Sequence, residues 1–159
     1  MKKKNNKKVS RKMIITRVIL LLFIIIWALM VFNFSSQNGE ESSGVSRKVV
    51  QVFIKEEDLV NKIEPYVRKF AHFSEYGLGG ALFISLFSTY EWTDRRKITL
   101  AIVLGIWYAG LDEIHQLMVP ARHGSIVDVY IDTLGFSTGV FTMLLLIKLL
   151  FRKGNVLND

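Results

Sequence analysis

The sequence predicts an all-α integral membrane bundle of four transmembrane helices, with both termini in the cytoplasm and a short amphipathic extracellular helix between the first two spans. Three observations predict it: four apolar segments are long enough to cross a bilayer, basic residues gather at alternate segment ends, and no segment has the pattern of a β-strand. A crossing helix needs about 20 largely apolar residues. The chain has 159 residues, of which 50% are hydrophobic, and its mean hydropathy is +0.30. It has no cysteine, which excludes disulfides, thiol nucleophiles and cysteine metal sites.

The predicted spans cover residues 13–34, 70–90, 97–119 and 126–151. They form one membrane domain, 13–151, between a basic cytoplasmic tail, 1–12, and a second cytoplasmic tail, 152–159. The first span follows a basic stretch, as the core of a signal peptide does. The residues after it offer no clear small-x-small cleavage site, so we expect a retained anchor.

The distribution of charge predicts the orientation. The net charge is +7, and the excess lies in the first twelve residues and at 95–97 and 152–153. In the segment 35–69, by contrast, six basic residues are matched by six acidic ones. The positive-inside rule therefore places both termini in the cytoplasm of a multi-pass cell membrane protein. Basic residues beside spans indicate contact with membrane lipid rather than nucleic acid, and Trp27, Tyr90 and Trp92 are expected at the membrane interfaces.

The loop 35–69 begins with a turn-rich linker and continues as a predicted helix from Val45 to Lys62. Its apolar stripe favours a helix lying on the outer leaflet. The alternative is a lid over a polar site. Pro65 is expected in the first turn of the second span, where its missing N–H costs nothing.

Polar side chains interrupt three of the spans, and helix alternation brings them together. The start of span two, the end of span three and the start of span four lie on the same side of the membrane. Intramembrane charges are expensive and nearly always face the bundle interior. The acids also share helical stripes with small residues, through which membrane helices approach one another. We therefore expect one polar site that opens outward.

The candidates for catalysis are those able to move or stabilise a proton: His72, Glu75, Asp112, His115 and Asp132. The candidates for ligand binding are their charged and amide neighbours: Arg68, Lys69, Glu113, Gln116, Arg122 and Asp128. Asp128 has a structural alternative, because Ser125-x-x-Asp128 matches a capping box. The spacing is not that of a zinc protease, so no metal ligand is assigned, and the sequence leaves any cofactor unknown. The alternative is a metal held by both histidines with carboxylates from three helices.

Four strings resemble the VanZ-like family of small multispan bacterial membrane proteins: FSSQ (34–37), RKFAHFSEYG (68–77), DEIHQLMVPAR (112–122) and DVYIDTLG (128–135). The resemblance runs from about Phe34 to Gly139. It implies a role in the bacterial cell envelope and a link to resistance to the glycopeptide teicoplanin. It gives no catalytic roles to transfer. The family pattern Pro-Gly-Arg is replaced by Pro120-Ala121-Arg122, and alanine disfavours a left-handed backbone there.

Three functions fit these observations. The first is an enzyme at the outer leaflet that acts on a phospholipid head group or on a lipid-linked or envelope glycan, with a histidine as acid–base and Arg122 as the anion clamp. The second is a binding protein for a lipid head group, a peptidoglycan precursor or a glycopeptide. The third is a non-catalytic structural or interaction protein whose polar cluster is an ion-pair network. The density of titratable groups favours the first two.

Overall fold

The computed structural model describes residues 10–120, 122 and 124–156, leaving aside the side chains of 40–42 and 151–156. This part of the chain forms five helices and no strand: α1 (Arg11–Ser35), α2 (Gly39–Phe53), α3 (Glu57–Ser88), α4 (Asp94–Gln116) and α5 (Ile126–Val156). The all-α prediction is therefore confirmed for the described residues. Most of the predicted cytoplasmic tails, together with Ala121 and His123, lie outside them.

Side-chain caps fix the starts of two helices. The Ser10 hydroxyl accepts a hydrogen bond from the backbone N–H of Met13 (3.2 Å), and that of Thr93 accepts one from Arg96 (3.4 Å). Each bond satisfies one of the backbone donors that a helix leaves unpaired at its first turn.

Three of the helices are long and apolar enough to cross a membrane: α1, α4 and the part of α5 up to Leu150. These correspond to predicted spans one, three and four. The predicted second span is the C-terminal half of α3, and α3 does not meet the same test. Its sequence explains this, since acidic and basic residues recur from Glu57 to Glu75.

The prediction for the loop between spans one and two was wrong in its boundaries. The single helix expected from Val45 to Lys62 is divided, because α2 ends at Phe53 and α3 already begins at Glu57. Pro65 consequently lies inside α3 rather than in its first turn. Contacts with α2 hold the early turns of α3, since Arg47 pairs with the Glu57 carboxylate and donates to the Asn61 side-chain oxygen (2.7 Å).

The backbones of α3 and α5 touch through glycines. A Cβ added to Gly80 would overlap the carbonyl oxygen of Phe136, and one added to Gly139 would overlap that of Gly77. Close approach through small residues is how membrane helices associate. This contact places the polar residues near the start of α5 beside those of α3.

Trp27 anchors α1 to the bundle. The expectation that it lies at a membrane interface was wrong, because it is only 3% exposed and its ring packs near Tyr76, Phe83, Tyr108 and Phe136. Its indole N–H donates to the carbonyl oxygen of Glu75 (2.8 Å). The ring also occupies the space that a side chain at position 79 would need, so Gly79 and Trp27 fit one another.

Aromatic and basic side chains pair at the end of the bundle where α3 joins α4. Tyr90 and Trp92 stack with ring centroids 4.8 Å apart, and Arg17 and Arg96 lie over these two rings. Arg17 also donates to the carbonyl oxygen of Thr89 (2.7 Å).

Candidate functional site

A polar cavity of about 280 Å³ lies at the opposite end of the bundle, between α3 and α5. The end of α4, the residue Arg122 and the start of α2 complete its wall. Its lining residues, which define the polar cavity below, are Gly39, Glu64, Pro65, Arg68, Lys69, His72, Gln116, Arg122, Asp128, Ile131 and Asp132.

Four polar side chains of the cavity lining come from α3, which runs past the cavity as one unbroken helix. Glu64, Arg68 and His72 follow one another at intervals of four residues, which aligns them on one helix face, and Lys69 lies next to Arg68. The sequence prediction omitted Glu64 because it began the span at Phe70. The four-residue spacing was the signal that could have revealed it.

α5 contributes Asp128 and Asp132, one turn apart. Asp132 is 1% exposed, and its Oδ1 atom lies 4.0 Å from Nδ1 of His72. Asp128 is more exposed, and its Oδ1 atom lies 3.3 Å from Nζ of Lys69. The deeper pair is a candidate acid–base couple. The shallower pair is half-exposed and so adds little stability.

The start of α5 does not use the expected capping box. The backbone N–H of Ser125 donates to the Glu113 carboxylate, so the donor that a capping box would offer to Asp128 is already taken. Glu113 therefore fastens the end of α4 to the start of α5. Asp128 instead faces Lys69.

Arg122 is the buried cation of the site. It is 8% exposed, and its Nη2 atom donates to the carbonyl oxygen of Phe34 (3.1 Å). Its Nε and Nη1 atoms are buried and have no hydrogen-bond partner among the described residues. Burial, followed by the nearby Arg68, lowers the pKa of the Arg122 guanidinium. Both effects disfavour the charged form, the carboxylates of Asp112, Glu113 and Asp128 oppose them in part, and a bound anion would oppose them further.

Asp112 lies behind the cavity wall and is held by Gln116. The Gln116 amide donates to Oδ2 of Asp112 (3.0 Å) and to the hydroxyl of Ser35 (3.4 Å). Asp112, Gln116 and Ser35 are all buried. The end of α1 therefore takes part in the site through Phe34 and Ser35, which was not predicted from the sequence.

The remaining sequence candidates lie beside the cavity rather than in its lining. His115 packs on the ring of Phe32, with centroids 4.4 Å apart. Glu75 lines an adjoining groove of about 440 Å³ that shares Arg68 and His72 with the cavity. This adjoining groove is lined by Phe34, Gln37, Val45, Ser46, Arg68, Ala71, His72, Ser74, Glu75 and Leu78. No group of three or more histidines and acids is placed to hold a metal ion within the described part of the chain.

The charges that line the polar cavity suit a ligand with more than one kind of polar group. Arg68, Lys69 and Arg122 can donate to an anion. Glu64, Asp128 and Asp132 can accept from hydroxyl or amino groups. His72 can do either.

Comparison with known proteins identifies the family. A model of the VanZ/LLP1 family matches residues 20–150. This range includes every residue that lines the polar cavity. Neither the curated proteins nor the solved structures gave a match.

Proposed function

The chain belongs to the VanZ/LLP1 family, and from that premise we propose that it is a bacterial cell-envelope membrane protein whose polar cavity binds the head group of an envelope lipid or lipid-linked glycan at the outer leaflet. One observation carries the proposal. Arg122 and Asp132 are each more than nine-tenths buried, and both have polar atoms without a hydrogen-bond partner in the described structure. Since buried polar groups are nearly always partnered, a bound molecule is the natural partner.

The proposed topology is four crossings with both termini in the cytoplasm, in which the C-terminal half of α3 is the fourth crossing element. The packing of α3 against α5 supports it, because a segment so closely held within the bundle shares the depth of its neighbours. Charge supports the orientation. Arg17, Arg96 and Lys148 lie at the end opposite the polar cavity, so that end faces the cytoplasm under the positive-inside rule.

The size of the cavity favours a small head group. Ligand pockets typically measure about 300–1,000 Å³, and this cavity is at the lower limit with about 280 Å³. A whole glycopeptide antibiotic or glycan chain exceeds that space. We therefore propose that any effect on teicoplanin sensitivity is indirect, through occupancy or modification of an envelope lipid.

The His72–Asp132 pair favours a second candidate function, which is acid–base catalysis on the bound head group. The two side chains lie 4.0 Å apart and both line the cavity. A carboxylate beside an imidazole can orient it and stabilise its protonated form. In this candidate His72 exchanges the proton, and Asp132 positions it.

Native mass spectrometry of the protein extracted from its own membranes tests the binding proposal. Wild-type protein should retain a lipid or glycolipid mass. Asp132→Asn should lose most of it, because the substitution replaces one carboxyl oxygen with an amide nitrogen that cannot accept a hydrogen bond. Glu91→Gln makes the same chemical change on an exposed residue that follows α3 at the opposite end, and it should retain the wild-type adduct. Equal retention by all three proteins would contradict the proposal and favour a structural ion-pair network.

A cell-based measurement separates binding from catalysis. His72→Asn keeps a hydrogen-bonding group but cannot exchange a proton near neutral pH. If the protein is an enzyme, the His72→Asn variant should still bind the lipid but leave the lipid pool unmodified. If it is a binding protein, the same variant should keep the wild-type effect on teicoplanin susceptibility. Expression of each variant at wild-type level is the control. If well-expressed His72→Asn and Asp132→Asn variants both leave lipid composition and susceptibility unchanged, both candidates fail.

A further inference from the structure

We propose that the ligand of the polar cavity is a phosphate-bearing membrane lipid, with its phosphate held between Arg68 and Arg122. This inference rests on the proposed function and names the class of the ligand. Three features of the described residues carry it: a buried arginine with two unpartnered nitrogens and no ion pair, a second arginine on the same cavity, and an apolar groove that begins at the same side chains.

Arg122 forms no ion pair among the described residues, and the carboxylates of Asp112, Glu113 and Asp128 act on it only from beyond ion-pair distance. Its one hydrogen bond is to a backbone carbonyl, which is neutral, and no described carboxylate lies within the 4.0 Å of an ion pair. Leaving a buried charge unpaired is costly. The planar guanidinium offers several donors at once and matches the oxygens of a phosphate.

Arg68 adds a second positive charge on the same cavity. It lines the cavity from α3, and its positive charge lowers the pKa of Arg122. Lys69 contributes less, because Asp128 lies 3.3 Å from it. An anion between the two guanidinium groups would attract each of them and so offset their mutual repulsion.

The acids of the cavity argue against a bare anion. Asp132, Asp128 and Glu64 share the lining with the arginines and would repel a phosphate that carried nothing else. A phosphate ester that also carries hydroxyl groups suits both the arginines and the acids. Its phosphate accepts hydrogen bonds from the arginines, and its hydroxyls donate to the carboxylates. The head group of phosphatidylglycerol has this chemistry.

The adjoining groove favours a lipid over a soluble phosphate ester. Arg68 and His72 line both spaces, so the groove begins where the phosphate would lie. Val45, Ala71 and Leu78 give it apolar walls, and Val45 and Leu78 are more than half exposed. An acyl chain in this groove would continue directly into the surrounding bilayer.

Titration of the purified full chain in detergent with dioctanoyl phosphatidylglycerol tests the inference. The comparison probes are dioctanoylglycerol, which lacks the phosphate, glycerol 3-phosphate, which lacks the chains, and inorganic phosphate. We expect the phosphatidylglycerol to bind at least about tenfold more tightly than any of the three. Arg122→Gln should weaken its binding roughly 10- to 100-fold, the range of a lost charge-assisted hydrogen bond.

Matched variants guard against a folding artefact. Arg95→Gln removes the same charge from an exposed position at the start of α4 and should bind as wild type. Arg68→Gln leaves the Arg122–Phe34 hydrogen bond in place and should still weaken binding. Arg122→Lys keeps the charge but loses the planar donors, so we expect an intermediate affinity.

Four results would overturn the inference. Unchanged phosphatidylglycerol affinity in both Arg122→Gln and Arg68→Gln would remove the arginines from the site. Equal affinity for glycerol 3-phosphate would replace the lipid by a soluble ester. A further probe in the same titration is diglucosyl diacylglycerol, a glycolipid without phosphate. If it binds as tightly as phosphatidylglycerol or more tightly, phosphate recognition is excluded while the proposed head-group site still stands. Binding of no lipid of either kind would contradict both proposals.

Discussion

At the scale of single residues, the polar cavity depends on side chains outside it that fix its walls. Glu113 is the clearest case, because its carboxylate accepts the backbone N–H of Ser125 and so joins the end of α4 to the start of α5. Trp27 fixes α1 in a similar way through its bond to the carbonyl oxygen of Glu75. Neither residue lines the cavity. Glu113 joins two helices that do, and Trp27 holds α1 against α3, which also does.

We expect Glu113→Gln to lower the free energy of unfolding by about 1–3 kcal/mol, because it weakens a charge-assisted hydrogen bond to a partly buried donor. Unfolding by denaturant in mixed micelles measures the change. Glu91→Gln, on an exposed side chain, is the control and should be within about 0.5 kcal/mol of wild type. A Glu113→Gln protein as stable as this control would show that the bond to Ser125 contributes little.

We expect Trp27→Phe to cost about 1–2 kcal/mol of unfolding free energy, since it removes the indole hydrogen bond and part of a buried ring. The matched control is Trp107→Phe, whose side chain is 64% exposed. The same micelle unfolding experiment compares the two. If both substitutions have equal effects, Trp27 is not the anchor of α1.

The burial of certain polar side chains was predictable, because polar side chains in apolar helices have few acceptable positions. The sequence predicted that Asp112 and Asp132 face inward, and both are buried. It could not predict the roles of Phe34 and Ser35, since a backbone carbonyl and a small hydroxyl give no signal in a hydropathy pattern. Trp27 was misassigned because a tryptophan at an interface and one in a core have the same local sequence.

At the scale of helices, the contact between α3 and α5 determines whether the cavity exists at all. Glu64, Arg68 and His72 on one helix meet Asp128 and Asp132 on the other. The two backbones come close enough only because glycines face carbonyl oxygens there.

We expect Gly80→Ala to destabilise the bundle by about 1–3 kcal/mol or more, since the new Cβ would overlap the Phe136 carbonyl and backbone cannot yield as a side chain can. Gly110→Ala is the control. It also lies within a helix, and nothing lies within 4 Å of the Cβ it would add. That substitution should be neutral or stabilising by up to about 1 kcal/mol. The midpoint of thermal unfolding in detergent measures both, and equal midpoints would contradict the packing of α3 on α5.

Helix boundaries were the least predictable feature at this scale. From the sequence, a loop helix was distinguished from the second span by apolar content alone. In the structure, a single helix, α3, runs without a break from Glu57 to Ser88. The sequence already predicted a helix as far as Lys62, but neither the break after Phe53 nor the continuation of α3 into the span. Arg47 of α2 contacts the early turns of α3, and local propensity does not encode such a tertiary contact.

At the scale of the whole molecule, the two ends of the bundle differ in chemistry. One end pairs arginines with aromatic rings and includes the basic residues at the start of α4. The other gathers acids, cations and a histidine around the polar cavity. The proposed function requires the second end to face the outside of the cell, where envelope lipids and glycopeptides are found.

The side of the membrane to which the polar cavity opens tests this account most directly. Because the chain has no cysteine, single cysteines can report it without a background: Lys55→Cys between α2 and α3, and Arg95→Cys at the start of α4. A membrane-impermeant maleimide applied to intact cells should label the first variant and should label the second only after permeabilisation. Labelling of Arg95→Cys in intact cells, with Lys55→Cys protected until permeabilisation, would place the cavity in the cytoplasm and contradict the account.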